Sequence, residues 1–117
     1  MTLSQLKTIL EGANSDAFKD KVAYRCFPAG SAPALPFICI METETENFKA
    51  DGKVYQKRQF VDIELYQSYK APEIESAIES VLNANEIIWD KSEQYIEDEN
   101  TIMVTYEVVI DGNENIT

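Results

Sequence analysis

Residues 60–84 read FVDIELYQSYKAPEIESAIESVLNA and combine two periodicities that decide the fold. Apolar and polar residues first alternate, which is the pattern of a strand with one face in the core and the other turned outward. From Pro72 onward the apolar residues recur at i, i+3, i+4, i+7 and i+8, which predicts an amphipathic helix. Proline suits the first helical turn, where its missing N–H has no partner to lose. The stretch therefore predicts a strand followed by a helix that packs one side on a sheet.

Each periodicity assigns residues to a face. The strand places Val61, Ile63 and Leu65 in the core, and Asp62, Glu64 and Tyr66 outward. The apolar stripe of the helix contains Ile74, Ala77, Ile78, Val81 and Leu82. The opposite face of the helix is predicted to carry Glu73, Glu75, Ser76, Glu79 and Ser80.

The rest of the chain divides into similar elements. A first helix is predicted over residues 3–11, capped by Thr2 with Gln5 as a capping-box partner and ended by Gly12. Strands are predicted at 21–27, 37–46, 86–90 and 101–110, with a proline-rich loop at 28–36 and a polar connection at 91–100. On the last strand, the residues expected to share the core face are Ile102, Val104, Tyr106, Val108 and Ile110.

These elements predict one α+β domain over residues 1–117, with 111–117 as a flexible tail. Short connections between neighbouring strands favour a mixed, mainly antiparallel sheet with two helices packed on one face. A chain of 117 residues buries enough surface to fold without disulfides or metals.

The segment TENFKADGKVYQ, residues 45–56, predicts a β-hairpin, because Asp-Gly is favoured where a type I′ turn needs positive φ at two positions. Aromatic residues flank the turn, and exposed aromatics on a hairpin are typical of protein contacts. The alternative is that both rings fold inward and brace the hairpin. The predicted partner-binding residues are Phe48, Lys49, Asp51, Lys53 and Tyr55.

The charge balance restricts the partners. Ten Lys and Arg oppose 21 Asp and Glu, a net charge of -11. Sequence-specific nucleic-acid binding and attachment to anionic membranes both depend on basic surfaces, so neither is expected. An acidic surface repels DNA and lets it pass without adhering, although solubility alone also explains such a surplus.

Nothing in the sequence indicates export. The amino-terminal residues lack the charged and apolar regions of a signal peptide, and no apolar run approaches 18 residues. Cys26 and Cys39 lie in apolar contexts and are expected to be reduced thiols in a cytosolic compartment.

No catalytic constellation, cofactor site or metal site is predicted. The chain has no histidine, so an ordinary general base near neutral pH is absent. The common phosphate-binding and nucleophile motifs do not occur. Strict alternation over residues 41–46 would place Glu42, Glu44 and Glu46 on one strand face, as a solvated surface, as ligands for a hard cation such as calcium or magnesium, or as a lining for a channel. An enzyme is not expected.

Several segments together resemble one family. They are LPFICI (35–40), NFKADGKVYQK (47–57), VDIELYQSYKAPEIESAIESVL (61–82) and the closing segment from Ser92 to Glu107. The chain resembles the tail-completion proteins of siphophages and Gram-positive prophages, which act as tail terminators or tail-to-head joining proteins. Ala71-Pro72 departs from the acidic or amide residues expected before the second helix.

The resemblance implies a lambda-type terminator fold and a homo-hexameric ring when assembled, with the isolated protein either a monomer or already a ring. Such a ring caps the tail tube, ends its polymerisation and meets the head connector, so the implied partners are the major tail tube protein and the head connector protein. The implied location is the virion, at the head–tail interface, after assembly in the bacterial cytoplasm. The alternatives are a head-completion or connector protein, a DNA-mimicking phage protein, and a small cytosolic ligand-binding α+β domain.

Overall fold

A computed structural model describes residues 1–28, 30–50 and 53–111, and gives only the backbone for 47–50, 53–57 and 111. The helices of this described part are α1 (Leu3–Ala13), α2 (Ser15–Phe18) and α3 (Pro72–Ala84). Its strands are β1 (Val22–Tyr24), β2 (Phe37–Ala50), β3 (Lys53–Gln67), β4 (Trp89–Ile96) and β5 (Thr101–Asp111), and a 3₁₀ turn at Glu97–Glu99 joins the last two.

The five strands form one mixed sheet in the order β1-β2-β3-β5-β4. β1 pairs with β2 in parallel, and the other neighbouring pairs are antiparallel. Because β3 and β4 are both antiparallel to β5, they run in the same direction, and α3 connects them past the intervening strand. The predicted α+β class with a mainly antiparallel mixed sheet is confirmed.

The core lies between one face of the sheet and the helices. The alternation of β3 is confirmed, since Val61, Ile63 and Leu65 are buried. The helices contribute Leu6, Leu10, Phe18, Ile78 and Leu82, and the predicted face of β5 is buried at Val104, Tyr106, Val108 and Ile110. Each fully buried large apolar side chain contributes about 1.5–3 kcal/mol relative to exposure. These contacts hold the helices on a single side of the sheet.

The first helix begins as predicted and ends later. Thr2 Oγ1 accepts a hydrogen bond from the Gln5 N–H (3.2 Å), and Gln5 Oε1 accepts one from the Thr2 N–H (3.0 Å). Gly12 was predicted to end the helix but lies within it, because α1 runs to Ala13. Asn14 makes the turn in an extended conformation (φ -152°) and also caps α2, a helix that was not predicted. No left-handed glycine is needed there.

Several strand boundaries differ from their predictions, and the strand predicted at 86–90 begins only at Trp89. The first strand was predicted over 21–27 but ends at Tyr24, since Arg25 adopts a left-handed conformation (φ 67°) that leaves the ladder. The segment 91–100 was predicted as a polar connection, yet most of it belongs to β4. Its backbone pairs with β5 from Trp89 to Ile96. The polar side chains of β4 are those of an exposed strand at the sheet edge rather than of a loop.

Alanine variants of two isoleucines test how far the free energy of unfolding depends on the buried core. Ile78→Ala removes a fully buried side chain beneath the sheet, and we expect it to lower the free energy of unfolding by about 2–5 kcal/mol. Ile88→Ala changes a side chain that is 86% exposed and should alter stability by less than about 0.5 kcal/mol. Urea denaturation of both variants checks this. Similar losses in the two would contradict the position of the core.

Candidate interaction surfaces

The predicted hairpin is present as a two-stranded arm. Asn47 pairs with Lys57 and Ala50 with Lys53, whereas the pairing of β3 with β5 begins only at Arg58. Within the described residues, the arm therefore extends beyond the five-stranded part of the sheet.

Four of the five residues predicted to bind partners are in this arm. Phe48, Lys49 and Lys53 occupy paired positions, while the register shift after Phe48 leaves Tyr55 as the extra residue of a bulge. Asp51 lies outside the described residues, and only the backbone is described for the other four. Their partner-binding role stays a prediction.

The three glutamates of β2 do not share a face, contrary to strict alternation. Glu42 pairs with Val61 on the helix-covered side, but the next paired residue is Glu44, opposite Phe60 on the other side. The extra residue, Thr43, forms a bulge and shifts the alternation by one. Glu42 accepts hydrogen bonds from Thr45 and from buried Gln59. Glu46 Oε1 lies 3.7 Å from Arg58 Nη1.

The sheet face that the helices leave uncovered is acidic. It carries a shallow groove of about 440 Å³ whose apolar lining includes Phe60 and Val109. The acidic residues along this groove are Glu44, Asp62, Asp90 and Glu107. None of the four forms an ion pair with any other described residue. Only Glu44 of these four is a predicted site residue, because the other three meet it through pairing of distant strands.

A buried carboxylate joins the helix layer to the end of the sheet. Glu75 of α3 was predicted to face solvent, but its side chain is only 2% exposed. It lies 2.8 Å from Lys70 Nζ and 2.7 Å from Lys91 Nζ, and it accepts a hydrogen bond from Gln67 Nε2 at 3.1 Å. The sequence did carry a signal, since Glu75, Ile78 and Leu82 share the i, i+3, i+7 spacing of one helix face.

This cluster extends onto β4 and β5. Lys91 also contacts Glu79 (2.8 Å), and Glu79 accepts a hydrogen bond from the hydroxyl of buried Tyr106 (2.8 Å). Lys70 also contacts Glu93 of β4. The contacts thus connect the edge strand β4 to both α3 and the loop before it.

The pKa values reflect these contacts. Burial by itself would raise the pKa of Glu75, but hydrogen bonds from Lys70, Lys91 and Gln67 outweigh burial and hold the pKa below its usual value. Burial, followed by the hydrogen bond to Glu79, raises the pKa of Tyr106. Burial also raises the pKa of the Cys39 thiol to about 11, so this thiol is neutral at physiological pH.

Two stretches of strand edge are open within the described part of the chain. β1 covers β2 only at residues 38–40, so the later residues of β2 have no neighbour on that side. At the opposite edge, β4 is paired only with β5, and most of its side chains are exposed. Such edges present unpaired N–H and C=O groups that pair with another chain.

Other site chemistry is sparse in the residues that the structure describes. They contain no group of three or more candidate ligands arranged to hold a metal ion. None of their helices is long and apolar enough to cross a membrane. Cys26 is exposed and Cys39 is buried, and both are free thiols. Cys39 is therefore packed as its apolar sequence context indicates, whereas Cys26 is not.

Comparison with known proteins supports the fold. No family model matches the chain, and no curated protein matches it. Ten chains of solved structures do match. One of them belongs to the virion of a native gene transfer agent particle, with a TM-score of 0.60 and 9% identity over 95% of this chain and 92% of that chain. At this identity, the likeness shows a shared fold.

Removing the charge of Glu75 tests the buried cluster. Glu75→Gln keeps the shape of the side chain but leaves two ammonium groups without their shared carboxylate, and we expect a loss of about 2 kcal/mol. Glu73→Gln changes an exposed residue of the same helix and should cost less than about 0.5 kcal/mol. Denaturant unfolding at neutral pH compares the two. Equal stabilities would show that the ion pairs contribute nothing.

The Glu75→Gln variant also tests how the stability contributed by Glu75 depends on pH. The folded-state pKa of Glu75 lies below its unfolded value of about 4.5, so its stabilising effect is complete above that pH and is lost as the pH falls through the folded value. The stability difference between wild type and Glu75→Gln should therefore be constant from pH 7 to about 5 and shrink below about 4.5. A series of unfolding curves measures it. A difference that grows on acidification would contradict the assignment.

Proposed function

We propose that this protein is a structural component of a phage-like particle and acts as a tail terminator. In this role it forms a hexameric ring on the end of the tail tube, stops polymerisation and joins the tail to the head connector. The observation that carries the proposal is the fold likeness to a chain of a gene transfer agent virion over 95% of the sequence. The resemblance of residues 35–40, 47–57 and 61–82 to tail-completion proteins points the same way.

The arm and the strand edges suit assembly into a ring. A ring requires two different surfaces on each subunit, so that one subunit's first surface meets its neighbour's second. The hairpin arm and the free part of β2 supply one candidate, and the exposed edge of β4 supplies the other. We assign Phe48 and Tyr55 as aromatic anchors of the arm, with Lys49, Asp51 and Lys53 as its polar contacts.

The uncovered sheet face is the proposed wall of the channel. Two of the three glutamates predicted to line a channel, Glu44 and Glu46, belong to this face. Asp62, Asp90 and Glu107 add to its negative charge. A wall of this charge repels the DNA backbone and lets DNA slide through the ring. Glu42 was also predicted to line the channel, but its carboxylate is engaged on the helix-covered side by Gln59. We therefore propose a supporting role for Glu42.

The mass of the protein in solution tests the ring. Six chains of 13.3 kDa give about 80 kDa, and we expect this species in sedimentation experiments with the protein alone or mixed with tail tubes of its own particle. The double variant Phe48→Ala/Tyr55→Ala should weaken assembly by at least about tenfold, since aromatic anchors dominate such interfaces.

Tyr24→Ala serves as the matched control, because it removes an exposed aromatic residue outside the arm. This variant should assemble like wild type. A protein that stays monomeric and ignores the tubes would refute the terminator assignment. A ring that survives the double variant would refute only the role of the arm.

A further inference from the structure

Three carboxylates lie in one row across the uncovered face of the sheet. Asp62 of β3 pairs with Glu107 of β5, and Glu107 pairs with Asp90 of β4, so the three side chains share this face. Like charges directly opposite each other on neighbouring strands destabilise a sheet. None of the three forms an ion pair with another described residue. A positively charged group from another chain would therefore bind to this row favourably.

A second row, next to the carboxylates, gives the acidic groove an apolar floor. Phe60 pairs with Glu44 on one side and with Val109 on the other. Phe60 is half-buried, and Val109 is 37% exposed. A lysine side chain suits such a surface, because its apolar stem and its charged head can contact the two rows at the same time.

Charge complementarity identifies the hairpin arm as the occupant. Residues 47–57 contain three lysines and one aspartate, a net charge of +2 in a chain whose net charge is -11. The same segment contains a phenylalanine and a tyrosine. The arm thus combines positive charge with apolar surface, and the groove combines negative charge with apolar surface.

Residues 19–25 also have a net charge of +2, but they are held against the body of the protein. Ile38 N–H donates to the carbonyl of Lys21 (2.9 Å), and Arg25 N–H donates to the carbonyl of Ile40 (2.7 Å). Between these bonds, β1 pairs with β2. This segment therefore does not project toward another chain as the arm does.

The arm cannot dock in the groove of its own chain. β2 and β3 continue from the sheet into the arm, where Asn47 pairs with Lys57 and Ala50 with Lys53. At about 3.3 Å per residue, Lys53 lies about 17 Å beyond Arg58, where the pairing of β3 with β5 begins. Folding back over the groove would break the pairs of the arm. The arm therefore requires the groove of another copy.

We propose that the acidic groove is the docking site for the hairpin arm of a second copy of this chain. Lysines of the incoming arm bind the carboxylate row, while their stems and the aromatic residues of the arm contact the apolar row. The contact joins two different surfaces, so it repeats from copy to copy and closes into a ring if the rotation permits. For that closure, the inference rests on the proposed function.

Docking leaves the channel wall acidic. The groove has four carboxylates along it, and an incoming arm brings a net charge of +2. The occupied face therefore keeps a net negative charge, and it still repels the DNA backbone.

Charge reversal on each side of the contact tests the docking site. Lys49→Glu/Lys53→Glu on the arm should raise the concentration needed for half-maximal assembly by at least about tenfold, because repulsion replaces attraction. Asp90→Lys/Glu107→Lys in the groove should have the same effect, and both residues are exposed. Sedimentation experiments, with and without tail tubes, measure the assembly. Circular dichroism confirms that each variant is folded.

Two double variants serve as matched controls, because they change the net charge equally outside the contact. Lys19→Glu/Lys21→Glu matches the arm variant, and Glu97→Lys/Asp98→Lys matches the groove variant. Both controls should assemble like wild type.

An equimolar mixture of the arm and groove variants separates docking from a general effect of charge. The glutamates of the reversed arm fit the lysines of the reversed groove, and the unchanged arm of the groove variant fits the unchanged groove of the arm variant. We expect the mixture to recover most of the wild-type assembly, as complexes in which the two variants alternate, although each variant alone assembles poorly.

The outcomes distinguish the docking site from the ring. A wild-type hexamer that both reversed variants form equally well would overturn the docking site and leave the terminator assignment standing. Open chains or dimers that the variants weaken and the mixture restores would support the docking site and refute the ring. A mixture that does not recover assembly would overturn the pairing of arm with groove. A wild-type protein that stays monomeric with and without tubes would overturn both.

Discussion

The rest of the structure depends on the two-sided pairing of β3. This strand is hydrogen-bonded to β2 along one edge and to β5 along the other, while its alternate side chains are buried beneath α1 and α3. A shift of one residue in either register would move Val61, Ile63 and Leu65 to the opposite face of the sheet. The core, the helix layer and the acidic face are therefore all fixed by the register of one strand.

The ion-paired cluster around Glu75 anchors the edge strand β4, whose side chains are mostly polar. β4 has few apolar side chains to bury, so packing alone gives it little stability. Lys91 and Glu93 instead connect it to α3 and to Lys70. A buried carboxylate requires well-placed partners, so the cluster also specifies where β4 lies. We regard it as a structural device, because no substrate-sized cavity adjoins it in the described part of the molecule.

The two sides of the sheet have opposite properties, and this difference underlies the proposed role. One side is buried in the core, where it packs against the helices. The other carries four carboxylates that form no ion pair with any described residue, and an arm of two strands extends from the same sheet. The distinctive features of the described residues are therefore the acidic face of the sheet and the arm that extends from it. The proposed assembly through the arm and edges, with DNA passing an acidic wall, uses those surfaces together.

The local pattern of the sequence predicted most of the elements and most of their buried faces, with α2, β4 and Glu75 as exceptions. Alternation in β3, helical spacing in α3 and the capping box at Thr2 each depend on neighbours a few residues away, and the structure confirms all three. The mainly antiparallel α+β class followed from the short connections. β4 was predicted wrongly because its partner β5 is distant in the sequence. Arg25 ends β1 through its own left-handed backbone conformation, which the residue pattern does not show.

The interaction surfaces were harder to predict from the sequence than the helices and strands, because they depend on tertiary structure. A single bulge at Thr43 separated Glu42 from Glu44, which no composition or spacing rule predicts. The acidic groove needed β5 to lie between β3 and β4, so that Asp62, Asp90 and Glu107 converge from three strands. The burial of Glu75 needed two lysines from different elements. The sequence by itself determined which residues could form strands, helices and a core, because those choices are local. Only the tertiary structure decided which charges meet, because that depends on register and strand order between distant segments.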